Sequence, residues 1–349
     1  MKLLLISVKS KASRGGIATW TKRFLDKCEK HDIFCDLVNT EMIGKRVEQN
    51  THKRRLFDEV KRSRRIFFDL KRSLKESQYD AAHLNTSCGT FGLFRDYLIA
   101  KAIKKKHIRL IVHFHCDIPF WVHNSLSLKC LCKLAVLADE RLVLCENSRK
   151  YLQDKCKVSS IKTPNFIDDW SILEGDKQIA DVLSTVIYVG KVMEAKGSKE
   201  ILELASRFPK ITFKLVGDIV GEENRVDIPK NVIMLGGMPY DDVLKQLDSA
   251  DVFLFPSHSE GFSLALTEAM ARGLPCIATD VGANSDMLAD GCGVVVAKGD
   301  VDAMEQAIKG LFDAEERKKA SRNAVVKVKA EYTANPVMEK LMESYRGAK

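Results

Sequence analysis

Short apolar runs alternate with longer amphipathic stretches along the whole chain, beginning with LLLIS at residues 3–7. A run that is apolar throughout, without a polar residue at every second position, suits a strand inside a parallel sheet that is covered on both faces. FCDLVN (34–39), the apolar parts of YDAAHLNTS (79–87) and RLIVHFHCDIP (109–119), and ERLVL (140–144) also read as strands. So do VIYVG (186–190), ITFKLVGD (211–218), NVIML (231–235) and DVFLF (251–255). Between these runs lie stretches with helical periodicity. One follows the glycine pair Gly15 and Gly16, one covers residues 92–106, and one starts at Gly197. Another, SLALTEAMARG (263–273), carries Leu264, Leu266 and Met270 with three alanines, has Ser263 as its N-cap and is closed by Gly273. Pro256 ends the strand before it, because proline cannot donate to a central ladder. Strand and helix alternating throughout predict an α/β protein of doubly wound parallel sheets, with ligands at the carboxyl ends of the strands.

At 349 residues the chain is long for one core and suits two domains. Net charge is +9, and it is unevenly spread: residues 1–165 hold 34 Lys and Arg against 17 Asp and Glu, whereas residues 166–349 hold 22 against 30. The two halves therefore face different partners, and the first should attract anionic surfaces. The most basic stretch, 45–77, carries Val60, Phe67, Phe68 and Leu70 at roughly helical spacing, which suits a solvated helix face or one that lies on an anionic membrane. No apolar run reaches the length of a membrane span, and MKLLLISV turns polar too soon for a signal peptide, so a cytoplasmic protein is expected, held at the inner face of the plasma membrane if the basic stretch docks there. The ten cysteines are scattered without metal spacing, and reduced thiols are expected, with Cys130 and Cys132 in the core.

The chemistry concentrates in residues 251–288. Glu260 and Glu268 bracket a helix start whose backbone N–H groups, at Gly261, Phe262 and Ser263, form an anion site. A ligand with phosphate in the middle and hydroxyl-rich groups at both ends would fit, since each carboxylate can accept from two neighbouring hydroxyls. From spacing alone, two solvated glutamates fit equally well. Lys191 and Lys196 follow a strand that ends in Gly190, where two cations can hold a diphosphate as point charges or simply be solvated. His113 and His115 alternate with Val112 and Phe114 and face one side of a strand end, without further metal ligands in evidence.

The segment PSHSEGFSLALTEAMARGLPCIATDVGA resembles the paired-glutamate motif of the retaining glycosyltransferases of family four, which have the two-domain GT-B fold of Rossmann-like halves facing across a cleft. HFHCDIP and PNFIDD resemble two further segments of that family, with Phe166 where glycine is usual and Lys191 where arginine is usual. The resemblance implies a first domain over 1–165 on the acceptor side and a nucleotide-sugar domain over 166–332. A last helix, about 333–349, should pack back onto the first. It also implies a donor site of Gly15, Gly16, Gly190, Lys191, Lys196, Met238, Glu260, Gly261, Phe262, Ser263 and Glu268, with His115, Glu260, Lys191 and Lys196 taking part in catalysis.

Glu268 would hold the ribose and Glu260 the sugar, while His115 would orient sugar and acceptor. No cofactor is implied. The lysines can replace a divalent ion at the leaving diphosphate, and the sequence is read as carrying no Asp-x-Asp metal motif, so metal-independent transfer is expected. The expected reaction moves a hexose from a nucleoside-diphosphate sugar to a glycan or lipid-linked acceptor hydroxyl, as in cell-surface polysaccharide assembly. A nucleotide-sugar epimerase of the same fold stays open. So does a basic, non-enzymatic nucleic-acid binder, although basic residues interleaved with aromatics are missing and no nucleic-acid partner is expected.

Overall fold

The computed structural model of the chain describes residues 1–9, 15–43, 56–220 and 227–347. The chain divides into two compact units. The first comprises Met1–Thr163 together with the chain from Met338, and the second is Pro164–Val337.

In the first unit six parallel strands, β1 (Lys2–Ser7), β2 (Phe34–Asn39), β3 (Ala81–Thr86), β4 (Arg109–Phe114), β5 (Glu140–Val143) and β6 (Ile161–Lys162), lie in the order β2-β1-β3-β4-β5-β6. Every residue of β3 is buried, and β1 and β4 are buried after their first residue, as an apolar run covered on both faces requires. The crossovers are α1 (Gly16–Cys28), α2 (Leu56–Glu76), α3 (Thr90–Lys104), α4 (Ile118–Trp121), α5 (Ser125–Leu137) and α6 (Glu146–Tyr151). The sheet steps one way from β1 to β2 and the other way from β1 to β3, so right-handed crossovers place α1 on one face and α2, α3 and α5 on the other. Ile66 and Leu70 of α2 enter the core beneath that second face, while Phe57, Val60 and Phe68 of the same helix are exposed. Of the basic stretch 45–77, residues 45–55 lie outside the described residues.

In the second unit β7 (Thr185–Val189), β8 (Thr212–Val216), β9 (Val232–Gly236), β10 (Val252–Phe255), β11 (Cys276–Thr279) and β12 (Gly293–Val296) are also parallel, in the order β12-β11-β10-β7-β8-β9. Their helices are α7 (Ser198–Arg207), α8 (Tyr240–Asp248), α9 (Leu264–Ala271), α10 (Asn284–Leu288), α11 (Val301–Gly310) and α12 (Ala314–Glu331). The last helix, α13 (Ala334–Arg346), starts in the second unit and contributes its residues from Met338 to the first. Strand order reverses between β7 and β10, and a crevice opens where the loops after two such strands part in opposite directions.

Several local expectations change. The helix expected over 92–106 starts two residues earlier and ends at Lys104. Gly197 does not begin its helix but caps it with φ 83°, after a tight turn at Glu194–Lys196. Phe166, at a usual glycine position, is buried without a positive φ, so the bulky residue is accommodated as a core side chain. The expectation of reduced thiols is corrected at one pair. Cys132, on the half-buried flank of α5, is bonded to Cys156 at the end of the helical turn after α6, their Cα atoms 4.9 Å apart. The packing of that turn on α5 brings together two cysteines 24 residues apart, a proximity that linear spacing does not show. Cys130 is a free, buried thiol, as expected.

Two histidines are sealed inside the first unit. His83 Nδ1 meets the Tyr345 hydroxyl at 2.7 Å, and His113 Nε2 lies 3.3 Å from the Thr163 carbonyl. Burial lowers His83 to about 3 and holds His113 well below the ordinary range, where neighbouring His115 and His83 also disfavour its charge. Both therefore fold neutral, while the unfolded chain protonates them below about pH 6.5. The folded state then binds fewer protons than the unfolded one, so stability is full above that pH and lost on acidification, by up to about 1.4 kcal/mol per pH unit for each histidine. Urea unfolding followed from pH 7.5 to 5.5 should show this decline, and His83→Gln should make it shallower; a flat profile would contradict the neutral pair.

Candidate functional site

In the second unit the sequence-predicted donor residues gather at the carboxyl ends of β7 and β10, on either side of the strand-order reversal. β7 passes into Gly190 and Lys191. The Tyr188 hydroxyl donates to the Lys191 carbonyl at 2.9 Å, which fixes the loop while the Lys191 side chain stays exposed. Lys196 turns the other way. Its ammonium donates to Glu260 Oε1 at 2.5 Å and to the Ser259 carbonyl at 3.1 Å, and the Ser257 hydroxyl also donates to Glu260 Oε1, at 2.9 Å. Lys196 and Glu260 are therefore one ion pair, with the glutamate side chain 15% exposed.

Two glycines make this closeness possible. A Cβ on Gly197 would stand 2.3 Å from the Pro256 carbonyl oxygen, and one on Gly282 would stand 2.4 Å from the Glu260 carbonyl oxygen. Both glycines also have positive φ, at 83° and 57°, so a side chain there is excluded twice over. Through Gly282 the loop after β11 lies against the Glu260 loop, and Ala283 N donates to the Gly261 carbonyl at 3.0 Å.

At the start of α9 the Ser263 side chain accepts from Leu266 N at 3.1 Å, the N-cap expected from sequence. Phe262 is buried edge-on against Tyr332 with ring centroids 5.4 Å apart, so its side chain anchors the loop and only its backbone can serve a ligand. Glu268 lies one turn further along α9, 8% exposed, and accepts from the Tyr240 hydroxyl at 3.0 Å. Met238 is half-buried in the turn before α8.

Three residues near this site were missed in sequence. Tyr240 and Ser257 are ordinary loop and helix-start residues by pattern. His258, whose Nε2 lies 2.6 Å from Glu200 Oε1, sits inside the quoted motif but has no partner near it in sequence. The chain also carries one Asp-x-Asp triplet, Asp300–Val301–Asp302, which the reading of metal motifs passed over. Asp300 caps α11 through Ala303 N at 2.9 Å and Asp302 pairs with Arg207 at 2.6 Å, so both are engaged structurally. Among the described residues no group of three His, Cys, Asp or Glu side chains is placed to hold a metal ion.

The remaining expected residues, Gly15, Gly16 and His115, belong to the first unit. Gly15 is the N-cap residue of α1 and Gly16 its first helical residue; a Cβ on Gly16 would meet nothing within 4 Å. His115 follows β4. Its Nε2 lies 3.0 Å from Asn85 Oδ1, Asn85 Nδ2 donates to Ser7 Oγ at 2.8 Å, and Ser7 Oγ meets Thr21 Oγ1 at 2.6 Å. Thr21 donates onward to the Ile17 carbonyl. An amide oxygen can only accept, so this chain of donors requires a proton on His115 Nε2. Trp20 of α1 packs edge-on to His115 at 5.1 Å, which joins the helix after the glycine pair to the histidine segment. Just beyond, burial lifts the Asp117 carboxyl to about 6, so its charge changes near neutral pH.

Residues 174–327 match the family described as Glycosyl transferases group 1, and this match falls inside the second unit. A 41.2 kDa protein of the cps region of Klebsiella pneumoniae is 24% identical over 300 residues, covering 80% of this chain and 81% of its own. The UDP-Gal:alpha-D-GlcNAc-diphosphoundecaprenol alpha-1,3-galactosyltransferase of Escherichia coli is 24% identical over 311 residues, covering 78% of this chain and 76% of its own. Among solved structures, sucrose-phosphate synthase from Thermosynechococcus elongatus superposes with a TM-score of 0.79 at 16% identity, over 99% of this chain and 98% of that one. Anabaena HepE in complex with UDP and glucose superposes with a TM-score of 0.71 at 15% identity, over all of both chains. The two six-stranded parallel sheets and these likenesses agree: the chain has the GT-B fold, and its second unit carries a domain of the Glycosyl transferases group 1 family.

Proposed function

We propose that this transferase takes a hexose from a UDP-sugar and moves it, with retention, to a hydroxyl of a lipid-linked glycan during assembly of a cell-surface polysaccharide. The observation that carries the donor side is the cluster at the β7–β10 reversal: Glu260 and Glu268 flank the start of α9, and Lys196 is bonded to Glu260. Carboxylates suit hydroxyl-rich groups, while lysines and helix-start amides suit a diphosphate. The names of the Escherichia coli galactosyltransferase and of the HepE complex support a UDP-linked donor, and the former supports a polyprenyl-diphosphate acceptor.

In this reading the bond from the sugar's anomeric carbon to the β-phosphate oxygen breaks as the acceptor oxygen bonds to the same face of that carbon. The acceptor proton passes to the departing phosphate oxygen. Lys191 and Lys196, with the Gly261 and Phe262 amides, stabilise the growing charge on the diphosphate. Lys191 does so as a point charge, without the bidentate fork of an arginine. Glu260 holds sugar hydroxyls and Glu268 the ribose, while the Gly15–Gly16 loop faces the diphosphate and acceptor. Gly190 and Met238 border the nucleotide. His115, held by Asn85, orients sugar and acceptor.

A nucleotide-sugar panel that includes UDP-glucose, UDP-galactose and GDP-mannose tests the donor assignment by thermal unfolding. A ligand at 100 times its dissociation constant adds about 2.7 kcal/mol, or roughly 5–10 °C in a unit of this size. A UDP-sugar should produce that shift and Glu260→Gln should lose most of it; the absence of a shift with every member would overturn the assignment. Because Lys191, Lys196 and the α9 amides supply the positive charge, transfer should persist in excess EDTA. Activity abolished by EDTA and restored by magnesium would contradict this division of labour.

The acceptor side carries a membrane-facing proposal. Phe57, Val60 and Phe68 on α2 are exposed among Lys61, Arg64, Lys71 and Lys75, and Phe91 and Phe94 are exposed on neighbouring α3. Exposed aromatics among cations suit docking on an anionic bilayer, each cation near the surface contributing about 1 kcal/mol. Among the described residues no helix is long and apolar enough to cross a membrane. The protein should sediment with phosphatidylglycerol vesicles at low salt and be released by high salt, and the Phe57→Asp, Phe68→Asp double variant should stay in the supernatant; equal binding to neutral vesicles would refute the electrostatic part.

A further inference from the structure

Beside Glu268 the second unit presents an aromatic pair that the donor reading leaves unassigned. Tyr240 is the first residue of α8, and its hydroxyl donates to Glu268 Oε1 at 3.0 Å. Trp170 stands edge-on to the Tyr240 ring, with centroids 5.3 Å apart and planes at 83°. It comes from the short turn Asp169–Ser171, which is tied to the far end of α9, the helix that carries Glu268. Arg272 Nη1 donates to the Ser171 carbonyl at 3.3 Å, and Leu173 N donates to the Ala271 carbonyl at 3.0 Å. One helix thus fixes the carboxylate and, through its last turn, the indole. Yet Trp170 remains 60% exposed, an unusual state for the largest side chain when its segment is this firmly held.

A carboxylate alone on a helix can rotate. A phenol that donates to one of its oxygens sets the plane of the group, and a carboxylate can accept from more than one donor. A flat, exposed ring beside it offers the surface on which a nucleobase stacks, since every base has a π-face. We propose that Trp170, Tyr240 and Glu268 together form the nucleoside end of the donor site: Tyr240 is a positioning residue that turns the Glu268 carboxylate toward the ribose hydroxyls, and Trp170 covers the nucleobase. The arrangement selects ribonucleotide donors over 2′-deoxyribonucleotide ones. This rests on the reading that Glu268 faces the donor ribose.

The full-length protein is titrated with UDP and GDP, and with the 2′-deoxy counterpart of each, by calorimetry and by intrinsic fluorescence. The chain has three tryptophans, Trp20, Trp121 and Trp170, so the origin of any quenching can be assigned by substitution. The nucleotide that binds should quench the emission, and Trp170→Phe should remove that quenching. Trp170→Ala should weaken binding about fivefold or more. Tyr240→Phe should weaken the ribonucleotide about threefold to tenfold, one hydrogen bond's worth, and its 2′-deoxy analogue by a smaller factor. The variant's preference for ribose over deoxyribose should shrink, and in the transfer assay the donor KM should rise while kcat stays within about twofold.

Quenching that survives Trp170→Phe overturns the role of the indole. An equal loss for the ribose and deoxyribose forms in Tyr240→Phe, or none for either, overturns the positioning role, because a merely structural tyrosine does not distinguish the two sugars. If neither UDP nor GDP binds the unaltered protein, the donor reading itself falls, and this proposal with it.

Discussion

The site in the second unit depends on backbone running closer to backbone than side chains permit. Gly197 presses on the Pro256 carbonyl and Gly282 on the Glu260 carbonyl, and these two contacts pull three loops, from three different strands, over one strand-order reversal. Lys196 reaches Glu260 because its turn is held there by Gly197. The loop after β11 reaches Gly261 because Gly282 allows it. Replacing either glycine would separate Lys196, Glu260 and Gly261 before touching any of them. The rest of the unit, six parallel strands with helices around them, fixes the strand ends from which those loops spring.

Much of this was readable from residues alone, for physical reasons that differ by element. Buried parallel strands announce themselves as unbroken apolar runs, and LLLIS, VIYVG and DVFLF all became central strands. The Ser263 cap follows from local hydrogen-bonding chemistry, which needs no tertiary context. Boundaries were less secure at Gly197, because a glycine before a helix can open it or cap it, and only the packing against Pro256 decides. The Cys132–Cys156 bond, the Tyr240–Glu268 contact and the Glu200–His258 pair join residues far apart in sequence, and periodicity holds no record of such meetings. The two sealed histidines belong in the same class: HFH alternation puts His113 and His115 on a shared face, but the burial of His83 and His113 depends on Trp20, Tyr345 and the last helix.

The two units divide their charge as they divide their contents. The second unit is acidic overall yet concentrates lysines and helix-start amides at one strand-order reversal, as suits a diphosphate. The first unit is strongly basic, and on α2 the exposed Lys61, Arg64, Lys71 and Lys75 stand among exposed aromatics. A basic half does not require nucleic acid, since an anionic surface of another kind satisfies the same electrostatics.

The ion pair between Lys196 and Glu260 has a further consequence for how the protein meets its ligand. That lysine already has its counter-ion, so much of the positive potential at the strand ends is cancelled locally. An incoming nucleotide is then guided less by long-range attraction than a count of lysines suggests. Bare phosphate must compete with an internal carboxylate, whereas a sugar nucleotide can occupy both partners at once, with phosphate at the ammonium and hydroxyls at the carboxylate. If the proposed donor reading holds, the pair would thus act as a filter against simple anions.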